Sequence, residues 1–131
     1  MTIYLVRHGK YDTVTGYLTS EGIEEIKILR KLLDNEGIIF DVVLTSPKDR
    51  AKETAKLLCG GVEPKEMFEL SPSSHFLKAL SVIPQGQDVL VVSHNPLLTG
   101  MADELGESVN FDPGTLAIFD ENGLHKIITP Q

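Results

Sequence analysis

The sequence holds 131 residues, 41% of them hydrophobic and 24% charged, and carries a net charge of −7. This is the size of one folded domain, residues 1–131, able to bury roughly two-thirds of its unfolded surface and too aliphatic for a disordered chain. An acidic chain with no Lys/Arg cluster excludes nucleic-acid backbones as partners, and apolar runs of four or five residues exclude a membrane-spanning helix, which takes about 20.

The chain leads at once into a strand-like run, Ile3-Tyr4-Leu5-Val6, with no basic segment or cleavage site ahead of it, which predicts a cytoplasmic protein. After a polar loop, Ile23, Ile26, Leu29, Leu32 and Leu33 recur at helical spacing and predict a helix over 21–36. Thr19 or Ser20 is its expected N-cap, Glu21, Glu24 and Glu25 suit the positive end of its dipole, and Gly37 is its expected stop. A second strand is expected over 38–44. It runs into Thr45-Ser46-Pro47, where Ser46 can cap a helix that has Pro47 at its first position and reaches about Leu58. Cys59, the only cysteine, follows that helix and reads as a packing residue in a reducing compartment.

Residues 74–82 read as a short helix burying Phe76, Leu77 and Leu80. A third strand, 89–92, ends in Ser93-His94-Asn95-Pro96, with Asn95 as the expected cap of a helix that buries Leu97, Met101 and Leu105 and stops at Gly106. Residues 116–119 and 126–128 flank Glu121-Asn122-Gly123 as a hairpin. Strands alternating with helices, each strand nearly continuous in aliphatics, describe an α/β fold. Its three layers, α/β/α, hold a mainly parallel central sheet with an antiparallel C-terminal hairpin.

Ligands of parallel sheets bind beyond the carboxyl ends of the strands. Three strand ends here carry reactive side chains: Arg7-His8-Gly9 after the first, Ser46-Pro47 leading to Arg50 after the second, and His94 after the third. Taken singly, the arginines read as solvated charges and His8 as a loop histidine. Together on one rim, the cations need an anion, and the set suits phosphoryl transfer through histidine: a neutral imidazole nitrogen attacks phosphorus while cations neutralise the peripheral oxygens. Arginine's planar fork matches phosphate, and Gly9 lets the backbone approach the reacting group. His75 and His125 read as structural or solvated, and the tyrosines as packing residues. With no His-x-x-x-His, Cys-x-x-Cys or Gly-x-x-x-x-Gly-Lys pattern, neither a metal nor another cofactor is expected.

In chain order, Arg7-His8-Gly9, Leu18-Thr19-Ser20-Glu21-Gly22, Thr45-Ser46-Pro47-Lys48-Asp49-Arg50-Ala51 and Val91-Val92-Ser93-His94-Asn95-Pro96 resemble the signature of the histidine phosphatase, or phosphoglycerate mutase-like, superfamily, over residues 3 to about 105. The resemblance implies that His8 is the nucleophile of a phosphorylated substrate. It also implies that Arg7, Arg50, His94 and the backbone N–H of Asn95 hold the phosphoryl group, with His94 protonated while phosphate is bound. The family's glutamate acid is expected two residues beyond a leucine, yet Met67-Phe68-Glu69-Leu70-Ser71-Pro72 puts Pro72 there. This departure, in a chain with no inserted capping segment, most resembles the small phosphohistidine phosphatase branch, the SixA type, and implies a phosphohistidine-bearing protein as substrate. Two alternatives stay open: a small-molecule phosphatase with Glu69, Glu66 or His75 as substitute acid, and a non-catalytic phospho-binding module.

Overall fold

Residues 1–130 are described by a computed structural model, in the order β1 (Thr2–Arg7), α1 (Ser20–Asn35), β2 (Val42–Thr45), α2 (Asp49–Leu58), β3 (Pro64–Glu66), a 3-10 turn (Phe68–Leu70), α3 (Phe76–Ser81), β4 (Asp88–Ser93), α4 (Leu97–Glu104), β5 (Leu116–Asp120) and β6 (Gly123–Ile128). The strands form one sheet in the order β3-β2-β4-β1-β5-β6. Pairing is parallel from β3 through β1 and antiparallel at β5 and β6, the α/β class with the C-terminal hairpin expected from the sequence.

Strand alternation decides the layers. Tyr4 and Val6 of β1 and Leu90 and Val92 of β4 face a core shared with Ile26, Leu29 and Leu33 of α1 and Ala51, Ala55 and Leu58 of α2. Leu5, Val89 and Val91 face the opposite core, with Ala79 of α3, Leu98 and Met101 of α4, and Phe111. Ile26, Leu29 and Leu33 are fully buried, and each such side chain contributes roughly 1.5–3 kcal/mol.

The sequence places α1 well. Thr19 is its N-cap, accepting from the Gly22 N–H, and the chain leaves it through Gly37 at φ 69°, whose N–H bonds the Asp34 carbonyl. Gly22 itself is required by close approach: a Cβ there would lie 2.2 Å from the Lys10 carbonyl oxygen.

Elsewhere the boundaries differ from expectation for local reasons. β2 begins at Val42, late in the apolar run; just ahead of it, Asp41 N–H donates to the Asp88 carbonyl and Asp88 N–H to Asp41 Oδ2. Ser46 is not the cap of α2, which starts at Asp49 with Lys48 as N-cap; the Ser46 hydroxyl accepts from the Lys48 N–H just ahead of the helix and also meets His94 Nε2. Asn95 is not the cap of α4 either. The helix starts at Leu97, and the Asn95 amide instead donates to the Phe111 carbonyl and accepts from Thr99. The short helix α3 starts at Phe76 with Leu77 exposed, and β6 starts at Gly123, directly after the Glu121-Asn122 turn. Two elements were not expected at all, β3 and the 3-10 turn. Pro64-Lys65-Glu66 has no strand-like composition, and only its pairing to β2 at the sheet edge makes it a strand.

Candidate active site

The parallel register carries the three strand ends to one line. Arg7 pairs with Ser93 and Thr45 with Val92, and the ladder continues one residue further: His8 N–H donates to the Ser93 carbonyl and Ser46 N–H to the Val92 carbonyl. His8, Ser46 and His94 are thereby placed side by side, and the rings of His8 and His94 lie 4.9 Å apart, edge to face. Both histidines are only 3% exposed.

His8 Nδ1 lies 2.9 Å from the Gly9 carbonyl oxygen. A carbonyl only accepts, so Nδ1 carries the proton and the lone pair sits on Nε2. Burial pushes the His8 pKa down to about 4, assisted by the positive charges of Arg50 and Arg7 and opposed by the Gly9 hydrogen bond. Burial likewise pushes His94 down to about 3, helped by His8, Arg50, Lys48 and Arg7. Its Nε2 lies 2.8 Å from Ser46 Oγ, a hydroxyl that can donate to neutral imidazole and accept from imidazolium.

The two guanidinium groups are partly bound and partly free. Arg7 Nη1 donates to the Phe111 carbonyl at 3.0 Å, and Arg50 lies over the Tyr11 ring, 4.4 Å from its centroid. Arg7 Nε and Arg50 Nε are buried with no hydrogen-bond partner among the described residues. A buried N–H on a charged group without an acceptor costs on the order of 1–3 kcal/mol or more, and two beside the same pair of neutral histidines mark a place for an anion.

The remaining candidates from the sequence do other things here. The Gly9 N–H is taken by Thr54 Oγ1 at 3.1 Å, and a Cβ on Gly9 would press on Ile26 Cγ1 at 3.0 Å, so the tight approach at Gly9 is to α1. Asn95 braces the Phe111 carbonyl, the same acceptor that holds Arg7. Glu66 is exposed and 3.7 Å from Lys52, and His75 is the N-cap of α3, accepting from the Leu77 N–H while stacked on Phe76. Glu69 sits on the 3-10 turn, whose Leu70 carbonyl accepts from the buried Ser93 hydroxyl at 2.7 Å. Pro72 lines an open groove with Pro47, Lys48, Phe68, Ser71 and Ser73, and Glu69 is not among the lining residues.

Three residues of this neighbourhood are missing from the sequence reading. Tyr11, read only as packing, meets His8 edge to face at 5.2 Å as well as Arg50. Its one available signal is an aromatic three residues past a strand-terminal histidine in an otherwise polar loop. Thr54 lies one helical turn after Arg50 and could have been found by that spacing, whereas nothing local marks Ser46 as a partner of His94 rather than a cap. Among the described residues, no group of three or more His, Cys, Asp or Glu side chains is gathered to hold a metal ion, and no helix is long and apolar enough to cross a membrane.

Known proteins resemble this chain in fold and in part of its sequence. The protein histidine phosphatase SixA, solved with tungstate bound, superposes with a TM-score of 0.84 at 25% identity, over 99% of this chain and 97% of its own. A candidate phosphohistidine phosphatase SixA from Agrobacterium tumefaciens shares the fold at TM-score 0.85 and 22% identity, over 98% of this chain and 97% of its own. A 2,3-bisphosphoglycerate-dependent phosphoglycerate mutase of Rhizobium meliloti is 41% identical over 70 residues, which cover 47% of this chain and 33% of the mutase, so the match spans about a third of that relative's length. The model of the histidine phosphatase superfamily (branch 1) matches residues 3–71, more than half of the chain and inclusive of Arg7, His8 and Arg50. With that match, and with a fold that superposes on SixA over nearly its whole length, this chain belongs to the histidine phosphatase superfamily, branch 1.

Proposed function

We propose that the chain is a cytoplasmic, metal-independent phosphohistidine phosphatase, and the observation that carries this reading is the state of His8. Its proton is fixed on Nδ1, its Nε2 lone pair is free, and it is flanked by two buried guanidinium N–H groups that lack an acceptor. In the proposed reaction, Nε2 attacks phosphorus, the N–P bond forms as the bond to the leaving group breaks, and the leaving group departs with that electron pair. Arg7, Arg50, His94 and the Asn95 backbone N–H receive the charge on the peripheral oxygens. A dianionic phosphoryl group beside His94 offsets the cations that hold its pKa down, so His94 takes up a proton as substrate binds. Water then cleaves the phosphohistidine and restores neutral His8.

The leaving group decides the substrate class. With Pro72 where an acid is expected and no carboxyl group among the residues lining the groove around it, that groove offers no proton to an alkoxide, whose conjugate acid has a pKa of roughly 15 like that of water. Imidazole leaves as a stable neutral molecule, since its conjugate acid has a pKa of about 6.5. The SixA phosphatase with the same fold is a protein histidine phosphatase, which supports a phosphohistidine-bearing protein as the substrate here. The test is kcat/KM for a phosphohistidine peptide, an aryl phosphate and an alkyl phosphate at one pH. The expected order is the order given, and equal or better turnover of the alkyl ester would refute the phosphohistidine assignment.

A further inference from the structure

The geometry points to Tyr11 as a positioning residue for Arg50: its ring face holds the guanidinium flat so that the in-plane N–H groups are turned to the anion. The guanidinium carbon sits 4.4 Å from the ring centroid, a cation over the electron-rich face. A contact made through the face of the guanidinium would leave its edge free, and the edge is what binds phosphate oxygens two at a time. Arg50 Nε, buried without a partner, lies on that edge. Among the described residues, no carboxylate forms an ion pair with Arg50, so the ring orients the cation without competing for its donors.

The loop is built to hold the ring there. Tyr11 and Leu18 form an antiparallel bridge, Asp12 N–H donates to the Tyr17 carbonyl, and the Asp12 carboxylate accepts from Val14 and Thr15 N–H groups. Glu53, one turn after Arg50 on α2, accepts from the Leu18 N–H at 2.7 Å. The same helix therefore presents the cation to the ring and ties down the strand opposite the ring. His8 is drawn in as well, edge to face with Tyr11 at 5.2 Å.

This inference rests on the functional reading above in one respect, that Arg50 binds the phosphoryl group, and the experiment separates the two. Tyr11 is replaced by phenylalanine and by its mono-, di- and trifluorinated forms, which keep the ring's shape while draining its face. Binding of inorganic tungstate is measured by calorimetry in the Arg50 parent and in Arg50→Ala. Tyr11→Phe should bind like the parent within about twofold, and affinity should fall stepwise to about tenfold at the trifluorinated ring. The slope should vanish in Arg50→Ala, whose own binding is weak. A flat fluorine series over a weakened Arg50→Ala would overturn the role of Tyr11 alone, as would a slope that survives in Arg50→Ala. Parent-like tungstate binding by Arg50→Ala would overturn the placement of Arg50 itself and this inference with it.

Discussion

On one side of the pocket, His8 and His94 are buried, Arg7 and Arg50 are half-buried with their Nε atoms enclosed, and each of the four is braced by a second group: the Gly9 carbonyl, the Ser46 hydroxyl, the Phe111 carbonyl and the Tyr11 ring. On the other side, residues 67–73 present an open groove, with a proline in the place where the family's acid is expected and an exposed Phe68 beside it. The first side has fixed protonation and fixed donors. The second has neither, and the difference teaches that this rim is prepared for the phosphoryl group and not for the atom that leaves it. An electrostatic site gains from such preorganisation because dipoles and charges already in place need no reorganisation during reaction.

The comparison breaks most sharply at His8. His8→Ala should abolish turnover and with it any acid-labile phosphoryl label trapped by rapid quench; label that survives the substitution would assign the intermediate elsewhere. Next come the donors. Arg7→Ala, Arg50→Ala and His94→Ala should each lower kcat by about 10²- to 10³-fold, or about 3–4 kcal/mol, without a matching rise in KM. EDTA should leave these rates unchanged, and activity lost to EDTA and restored by a divalent ion would contradict a metal-free pocket.

Protonation provides a smaller test of the prepared side. His8 is held at about 4 and His94 at about 3, against 6.5 for an unperturbed histidine. As pH falls below about 6.5, the unfolded chain takes up these protons before the folded one, so stability is full above that point and declines toward about pH 3. Each pKa unit is worth about 1.4 kcal/mol, and the two rings together should cost a few kcal/mol over that window. In NMR titrations the ring signals of His8 and His94 should stay constant between about pH 5 and 8, and that of His94 should shift on adding tungstate; titration of His8 near 6.5 would show that it is not held neutral. The smallest effect belongs to the unprepared side. Glu69→Gln should change aryl phosphate turnover by about twofold or less, and a loss of tenfold or more would identify Glu69 as the acid.

How far the sequence reaches depends on whether a feature is local. The course of α1, from the Thr19 cap to Gly37, was legible because its apolar spacing, cap and stop lie within one contiguous segment. The positions of Arg7, His8, Arg50 and His94 on one rim were legible too, because each ends a strand, directly follows one or opens the helix after it, and parallel strands align their carboxyl ends. β3 was not legible, since Pro64-Lys65-Glu66 becomes a strand only by bonding to β2.

The same division runs through the site. Residue identity alone determined which groups could attack phosphorus and which could bind its oxygens, because those are properties of imidazole and guanidinium. Only the tertiary structure decided their condition: which His8 nitrogen holds the proton, that the Ser46 hydroxyl meets His94, and that Tyr11 lies under Arg50. Two of these depend on contacts across 48 and 39 positions of chain, His94 with Ser46 and Arg50 with Tyr11, and all of them on burial. No local propensity encodes such contacts. Burial removes the water that would otherwise set each proton and satisfy each donor, and the neighbours that replace it are chosen by the fold.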